Sequence, residues 1–190
     1  MTPPAVSGSA SAIWVRPAVA ADAEGMRTIY NHEVENTTAT MDLVTRSLED
    51  QVAWLAARTG AFSSLVALRR ASEESDPRYL TSSDSGDEEI LGFASVSPYK
   101  ERAAYRPTVE DSVYVRRDLA RQGVGRILLT EVIERARSSG FHSIMARIEA
   151  SGTASRALHA ACGFEEIGVE RQVGRKFNRW LDVAVMQKML

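Results

Sequence analysis

The chain has 190 residues, 44% of them hydrophobic and 25% charged, with a formal net charge of −2. That balance is typical of a soluble globular chain able to bury its own core, and it offers no basic field for nucleic acid. Only local clusters such as Arg116-Arg117 and Arg121 could hold a compact polyanion. Cys162 is the single cysteine, so no internal disulfide can form, and no Cys/His spacing matches a metal site. No apolar run is long enough to cross a bilayer. The stretch Met1–Ala12, rich in Ser, Ala and Pro, has neither the charged nor the apolar region of a secretory signal. A reducing, cytoplasmic setting is expected.

In chain order, Met1–Ala12 reads as a disordered tail, and residues 13–190 as one domain. Ile13–Val19 is expected as a first strand. A helix follows over Ala21–Asn36, with Ala23, Met26, Ile29, Tyr30 and Val34 on one face at helical spacing. Ser47 fits the N-cap of a second helix, with Asp50 as its acidic companion and Val52, Leu55 and Ala56 turned inward. Ser64–Arg69 is a strand. Arg70–Glu89 is dominated by Ser, Asp and Glu, and reads as a flexible acidic insertion in a hairpin whose second strand is Ile90–Ser97. A strand over Thr108–Arg116 leads to a helix over Gly123–Ser139, with Val124, Leu128, Val132 and Ala136 on one stripe. A strand at Ser143–Ile148, a helix at Ala154–Ala161, and two closing strands near Glu165–Gly174 and Asp182–Met189 complete the pattern. Interleaved strands and helices with hairpins at both ends predict an α/β fold: a mixed, mostly antiparallel twisted sheet of about seven strands with helices on both faces.

The most informative segment runs Ser112-Val-Tyr-Val-Arg-Arg-Asp-Leu-Ala-Arg-Gln-Gly-Val-Gly-Arg126. It sets a strand, a short loop and two glycines at the mouth of a helix. A helix start presents unpaired N–H groups and a partial positive charge, which suits a pyrophosphate. Gly123 and Gly125 clear side chains from the approach, and Arg121 and Arg126 can add charged hydrogen bonds. A plain strand–turn–helix connection would use the same glycines. A dinucleotide fingerprint is excluded, because the third glycine is missing.

With these residues in view, the chain resembles the GCN5-related N-acetyltransferase (GNAT) superfamily, and within it the phosphinothricin acetyltransferase-like branch of L-amino acid N-acetyltransferases. The residues that carry the resemblance are Ile29-Tyr-Asn-His32, Asn36-Thr-Thr-Ala39, Tyr105–Val115 with its core Thr108-Val-Glu-Asp-Ser-Val-Tyr-Val115, and Gly123-Val-Gly125. Further on they are Ala154-Ser155, Leu158-His159, Gly163-Phe164 and Val173-Gly-Arg-Lys-Phe-Asn-Arg-Trp-Leu-Asp182. The resemblance implies acetyl-CoA as cofactor. It implies that the backbone of Val113, Tyr114 and Val115 pairs with the pantetheine arm, and that Arg121, Gln122, Gly123, Val124, Gly125 and Arg126 cradle the pyrophosphate. Two positions depart from the superfamily pattern. Ala120 stands where the loop usually opens with Gln or Arg, and Gly152 replaces an Asn before the last helix, with Thr153 or Ser155 to compensate near the cofactor arm.

Acetyl transfer from a thioester to an amine needs a base for the ammonium, donors for the oxyanion and help for the departing thiolate. Strand alternation points Glu110, Ser112 and Tyr114 to one face, and Val109, Val113 and Val115 to the other. The resemblance assigns Glu110 as the base, and burial beside the cofactor strand would raise its pKa. It makes His159, in the Leu-His pair typical of the branch, the candidate acid. A bulge near Val113 is expected to free an N–H for the oxyanion. Cys162, at an apolar helix end without an activating base, reads as packing, so transfer is expected to be direct, in a ternary complex. His32 and His142 carry no catalytic expectation, although His32 could border the acceptor pocket. The acceptor is expected among Thr38 and Met41 of the loop after the first helix, Lys100, Glu101 and Arg102, and the strand residues Glu110, Asp111 and Ser112. Lys100 and Arg102 suit a carboxylate, phosphinate or sulfonyl group, or are solvated loop charges. The branch commonly forms homodimers, and Gly174–Asp182, through Phe177 and Trp180, is expected either to complete a partner's site or to pack in the core. The resulting expectation is N-acetylation of a small-molecule amine, an L-amino acid or an analogue of the phosphinothricin, methionine sulfoximine or methionine sulfone type. The alternatives are peptide or protein N-terminal acetylation and a non-catalytic acetyl-CoA-binding module.

Overall fold

The computed structural model describes residues 12–62, 64–83 and 86–190, so the expected N-terminal tail lies, but for Ala12, outside the described residues. In chain order the regular elements are β1 (Trp14–Pro17), α1 (Ala23–Asn36), α2 (Leu48–Ala56), β2 (Leu65–Arg70), β3 (Leu80–Ser83), β4 (Gly86–Pro98) and β5 (Thr108–Val115). They continue with α3 (Val124–Ser138), β6 (Ser143–Glu149), α4 (Thr153–Ala161), β7 (Glu165–Lys176) and β8 (Arg179–Met189). One sheet runs β1-β2-β4-β5-β6-β8-β7, with β3 added on β4. Every neighbouring pair is antiparallel except β5 and β6, which run parallel.

Alternation along the strands divides the core between the two faces of this sheet. On one face Met26, Ile29, Tyr30 and Val34 of α1 pack on Val66, Leu68, Ile90 and Phe93. On the other, the stripe Val124, Leu128, Val132 and Ala136 of α3 packs on Leu65, Ala67, Leu91 and Val109. Both helical stripes are those the sequence periodicity predicts. The second helix is capped as expected, Ser47 Oγ accepting from Asp50 N–H at 3.0 Å and the Asp50 carboxylate from Ser47 N–H at 3.0 Å. Its inward face differs. Gln51 is buried and Trp54 and Leu55 are half-buried, whereas Val52 and Ala56 face solvent. Trp54 is drawn in by edge contact with Phe93 and by the guanidiniums of Arg58 and Arg46.

Residues 70–89, expected as a solvated loop, instead carry a turn at Pro77–Tyr79 and the strand β3, paired with the start of β4. Their acidity does not stay in water. Glu89 is fully buried between Arg69, at 2.7 Å, and the guanidinium of Arg116, and it also accepts from Ser75 at 2.9 Å. Glu88 pairs with Arg16 at 3.1 Å, and Tyr79 lies beneath Arg116, 4.0 Å from ring centre to guanidinium carbon. All three cations come from outside the segment, so its local composition conceals what compensates it. The closing strands also run longer than expected. They meet at Phe177-Asn178, both with positive φ (49° and 59°), the backbone of a tight hairpin turn without the glycine that usually announces one.

Candidate active site

The parallel pair β5–β6 opens into a wedge. Only Thr108, Val109 and Glu110 of β5 pair with β6, opposite Ser143, Ile144 and Met145. Beyond them β6 stays with β8 as far as Glu149, and β5 stays with β4 as far as Val115. The backbone groups of Asp111–Val115 that point away from β4 therefore meet no strand among the described residues, and they offer a ladder edge to an extended ligand. The expected bulge near Val113 is absent, because the β4–β5 register is regular from Gly92↔Val115 to Pro98↔Val109. Divergence of β6 frees these groups, rather than an extra residue in β5.

Both helices that follow this pair begin at its open, C-terminal end, where crevices in open α/β sheets bind ligands. The mouth of α3 is built for an anion. Gly123 takes φ +84° as its N-cap, no side chain caps the end, and the first intrahelical bond is Ile127 N–H to Gly123 C=O at 3.1 Å. The N–H groups of Val124, Gly125 and Arg126 are thus left to an outside acceptor. Arg121 (φ +66°), Gln122 and Arg126 are exposed around them. Gly125 has a different task from Gly123. A Cβ there would stand 3.1 Å from Leu158 Cδ2 and 3.6 Å from Val115 Cγ2, so its absence lets α3 start close against α4 and β5. At Gly152, the N-cap of α4, a Cβ would come within 2.9 Å of the Glu149 carbonyl oxygen, which accounts for glycine where the family pattern has Asn. Ser155 is half-buried one turn into α4, and its carbonyl oxygen is 2.8 Å from His159 Nδ1.

The approach to this turn is tied down from two sides. Arg116 is buried and paired with Glu89 and Asp118, and Arg117 pairs with Glu33 of α1 at 2.5 Å. Between α1, the 77–79 turn and residues 115–118 lies a cavity of about 410 Å³, bordered by His32 and Tyr79. Its carboxylates Glu33, Asp76 and Asp118 are each matched by Arg117, Arg78 and Arg116.

Glu110 sits at the fork, the last β5 residue still paired with β6. It shares the α1 face of the sheet with Ser112 and with Tyr114, whose ring meets Tyr30 edge-on at 5.1 Å. Burial raises the Glu110 pKa above the ordinary carboxylate value; Arg147 pulls it back in part, and Asp111 and Glu170 push it further up. Asp111 points to the opposite face and does not join Glu110 and Ser112. Its Oδ2 is 3.0 Å from Nε2 of His159, and both side chains are buried. Burial opposes a charge on His159, but the hydrogen bond and charge of Asp111 outweigh it and leave the pKa raised. With Ser155 at one nitrogen and Asp111 at the other, the ring has both positions engaged. Glu110 and His159 thus stand on opposite sides of β5.

The α1 face of the wedge is roofed by the loop after α1. Thr38 Oγ1 donates to Glu149 at 2.8 Å, and Met41 Sδ lies 2.8 Å from where a Cβ on Gly174 would be. Lys176, which the sequence reading left without a role, is buried under this loop. Its Nζ donates to the carbonyls of Thr40 at 2.9 Å and Glu33 at 3.3 Å, and burial lowers its pKa. Lys100, Glu101 and Arg102 are exposed in the connection before β5, with Lys100 Nζ 4.6 Å from the ring centre of Tyr99 and 5.1 Å from that of Tyr105. Cys162 packs against the α3-side core, and His32 and His142 are exposed. Among the described residues no cluster of three or more His, Cys, Asp or Glu could hold a metal, and no helix is long and apolar enough to cross a membrane.

Residues 27–164 match the model of the acetyltransferase (GNAT) family. The chain belongs to that family. It is 40% identical over 173 residues to an L-methionine sulfoximine/L-methionine sulfone acetyltransferase of Pseudomonas paraeruginosa, covering 91% of this chain and 92% of that one. A GNAT-superfamily phosphinothricin acetyltransferase of Sinorhizobium meliloti, solved in complex with acetyl-CoA, superposes with a TM-score of 0.80 at 33% identity, over 94% of this chain and 88% of that one. A structure described as ribosomal-protein-alanine N-acetyltransferase of Brucella melitensis superposes with a TM-score of 0.80 at 39% identity, over 93% and 99%. Within the GNAT family, then, this acetyltransferase falls in the phosphinothricin acetyltransferase-like branch.

Proposed function

We propose that this GNAT enzyme transfers the acetyl group of acetyl-CoA to the primary amine of an L-amino acid or an analogue of the phosphinothricin, methionine sulfoximine or methionine sulfone type. The observation that carries the reading is the position of Glu110. A carboxylate with a raised pKa stands at the closed end of a wedge whose open end is an uncapped helix N-terminus. The names of the Pseudomonas and Sinorhizobium relatives support the acceptor class.

In this mechanism the pantetheine arm lies along the free edge of Val113, Tyr114 and Val115, and the pyrophosphate rests on the turn from Arg121 to Arg126. Thr38 and Met41 above, Ser112 below and the charges Lys100, Glu101 and Arg102 border the acceptor. Glu110 takes a proton from the ammonium, and the free amine attacks the thioester carbon. N–H groups of the unpaired edge of β5 hold the oxyanion, and collapse expels the thiolate, all in one ternary complex. Free thiols ionise near pH 8.5, so the sulfur leaves with little assistance. His159, expected as the acid, is assigned instead to holding α4 against β5 through Asp111, since neither ring nitrogen is free to donate. The setting for this chemistry is the cytoplasm.

Free thiol released from acetyl-CoA in the presence of amino acids, of peptides, or of no acceptor tests the proposal. Turnover with amino acids is expected. Turnover confined to peptides would favour N-terminal acetylation, the second reading, which the name of the Brucella relative supports. Binding of acetyl-CoA without turnover on any amine would favour a non-catalytic module.

The proposal includes a homodimer. Phe177 and Trp180 at the β7–β8 turn are 54% and 61% exposed, so core packing does not account for them. Ile167, Val169 and Val173 extend this apolar surface along β7, an edge strand. Sedimentation should give twice the chain mass, and Trp180→Glu should shift it toward the monomer; a monomeric parent protein rejects this part.

A further inference from the structure

Arg147 stands on β6 two residues beyond Met145, the partner of Glu110, and so on the same face of the sheet as Glu110. Across β6, β8 and β7 the register aligns Arg147 with Val185 and Gly168, and Glu149 with Val183 and Glu170. That alignment brings the Glu170 carboxylate to one terminal nitrogen, Nη2, of Arg147. Nε and Nη1 have no partner among the described residues, and the side chain is 41% exposed. Glu110 senses both groups electrostatically. Lys100, by contrast, folds over two tyrosine rings, and Arg102 is exposed before β5 begins.

We propose that Arg147 is a specificity-determining residue that receives an acidic group borne next to the acceptor's amine, the α-carboxylate of an amino acid. The inference rests on the amino-acid reading above and adds the residue that selects for it. An α-amino acid presents an ammonium and a carboxylate a few bonds apart. Glu110 and Arg147 present the complementary pair from strands about 4.8 Å apart where they still pair. Glu170 takes up one N–H of Nη2. The other N–H of Nη2, with the neighbouring nitrogen on that edge, leaves a fork that binds a carboxylate through two parallel hydrogen bonds, a geometry that lysine cannot reproduce.

The experiment compares an amino acid that the enzyme acetylates with its α-amide, which keeps the amine and loses the negative charge. At a pH above the acidic limb of the rate profile, where Glu110 is deprotonated with or without Arg147 to lower its pKa, Arg147→Leu should raise KM for the amino acid roughly tenfold or more, while kcat, and KM for the amide and for acetyl-CoA, stay within about twofold. Arg147→Lys should recover part of the loss. An unchanged ratio of amino acid to amide in Arg147→Leu would overturn the assignment, as would an equal loss on both acceptors, which marks a structural role. Failure of the unaltered enzyme on every amino acid would show before any variant is made; that result removes the acceptor reading itself, and Arg147's role with it.

Discussion

Glu110→Gln should lower kcat by about 100- to 1,000-fold while leaving acetyl-CoA affinity nearly unchanged, because the substitution keeps the shape of the side chain and removes only its basicity. In the proposed role the carboxylate acts in its deprotonated form, so turnover in the unaltered enzyme should rise as pH climbs through the Glu110 pKa. Burial places that value above the ordinary glutamate value of about 4.3, so the acidic limb of the rate profile should lie correspondingly higher. The glutamine variant should lose this limb along with its rate. Calorimetry with acetyl-CoA and a pH–rate profile on one acceptor check both halves. A variant that retains the parent's rate and limb would take the base role away from Glu110.

Much of this site was legible in the sequence because its signals are local. The glycines after the Thr108–Val115 strand mark a helix start, and alternation alone separates Glu110 from Val109. What was not legible depends on strand register. Alternation puts Asp111 on the face opposite Glu110, but only the packing of α4 on that face shows that His159 is its partner. Arg147 reads as one polar residue in an alternating strand, and only the parallel pairing of Glu110 with Met145 puts it on the face that carries Glu110. The wedge has no sequence signature either, since it arises where β6 stays with β8 and leaves β5. The 70–89 segment misleads for a related reason: its buried acids Glu88 and Glu89 are neutralised by Arg16, Arg69 and Arg116, which lie outside the segment. The burial of Lys176 has no sequence signal, because its partners are main-chain carbonyls, which composition does not show.

Gly123→Val should weaken acetyl-CoA binding by roughly tenfold to a hundredfold and leave the acceptor's KM nearly unchanged. Space is not the obstacle, since a Cβ at this position would meet no atom within 4 Å. Conformation is: φ is +84°, and a β-branched residue there costs about 1–3 kcal/mol, or forces the turn into another shape. A changed turn redirects the N–H groups of Val124, Gly125 and Arg126, which have no side-chain cap to fall back on. Because the variant side chain also stands where the phosphates would approach, Gly123→Ala provides the separating control. It carries most of the strain with little bulk, and should fall between the parent and Gly123→Val. The loss should be large for acetyl-CoA and small for acetyl-pantetheine, which lacks the pyrophosphate and in this reading depends on the edge of β5 alone. Equal losses on the two donors would mean that the turn supports the fold rather than the phosphates. No loss on either would place the pyrophosphate elsewhere.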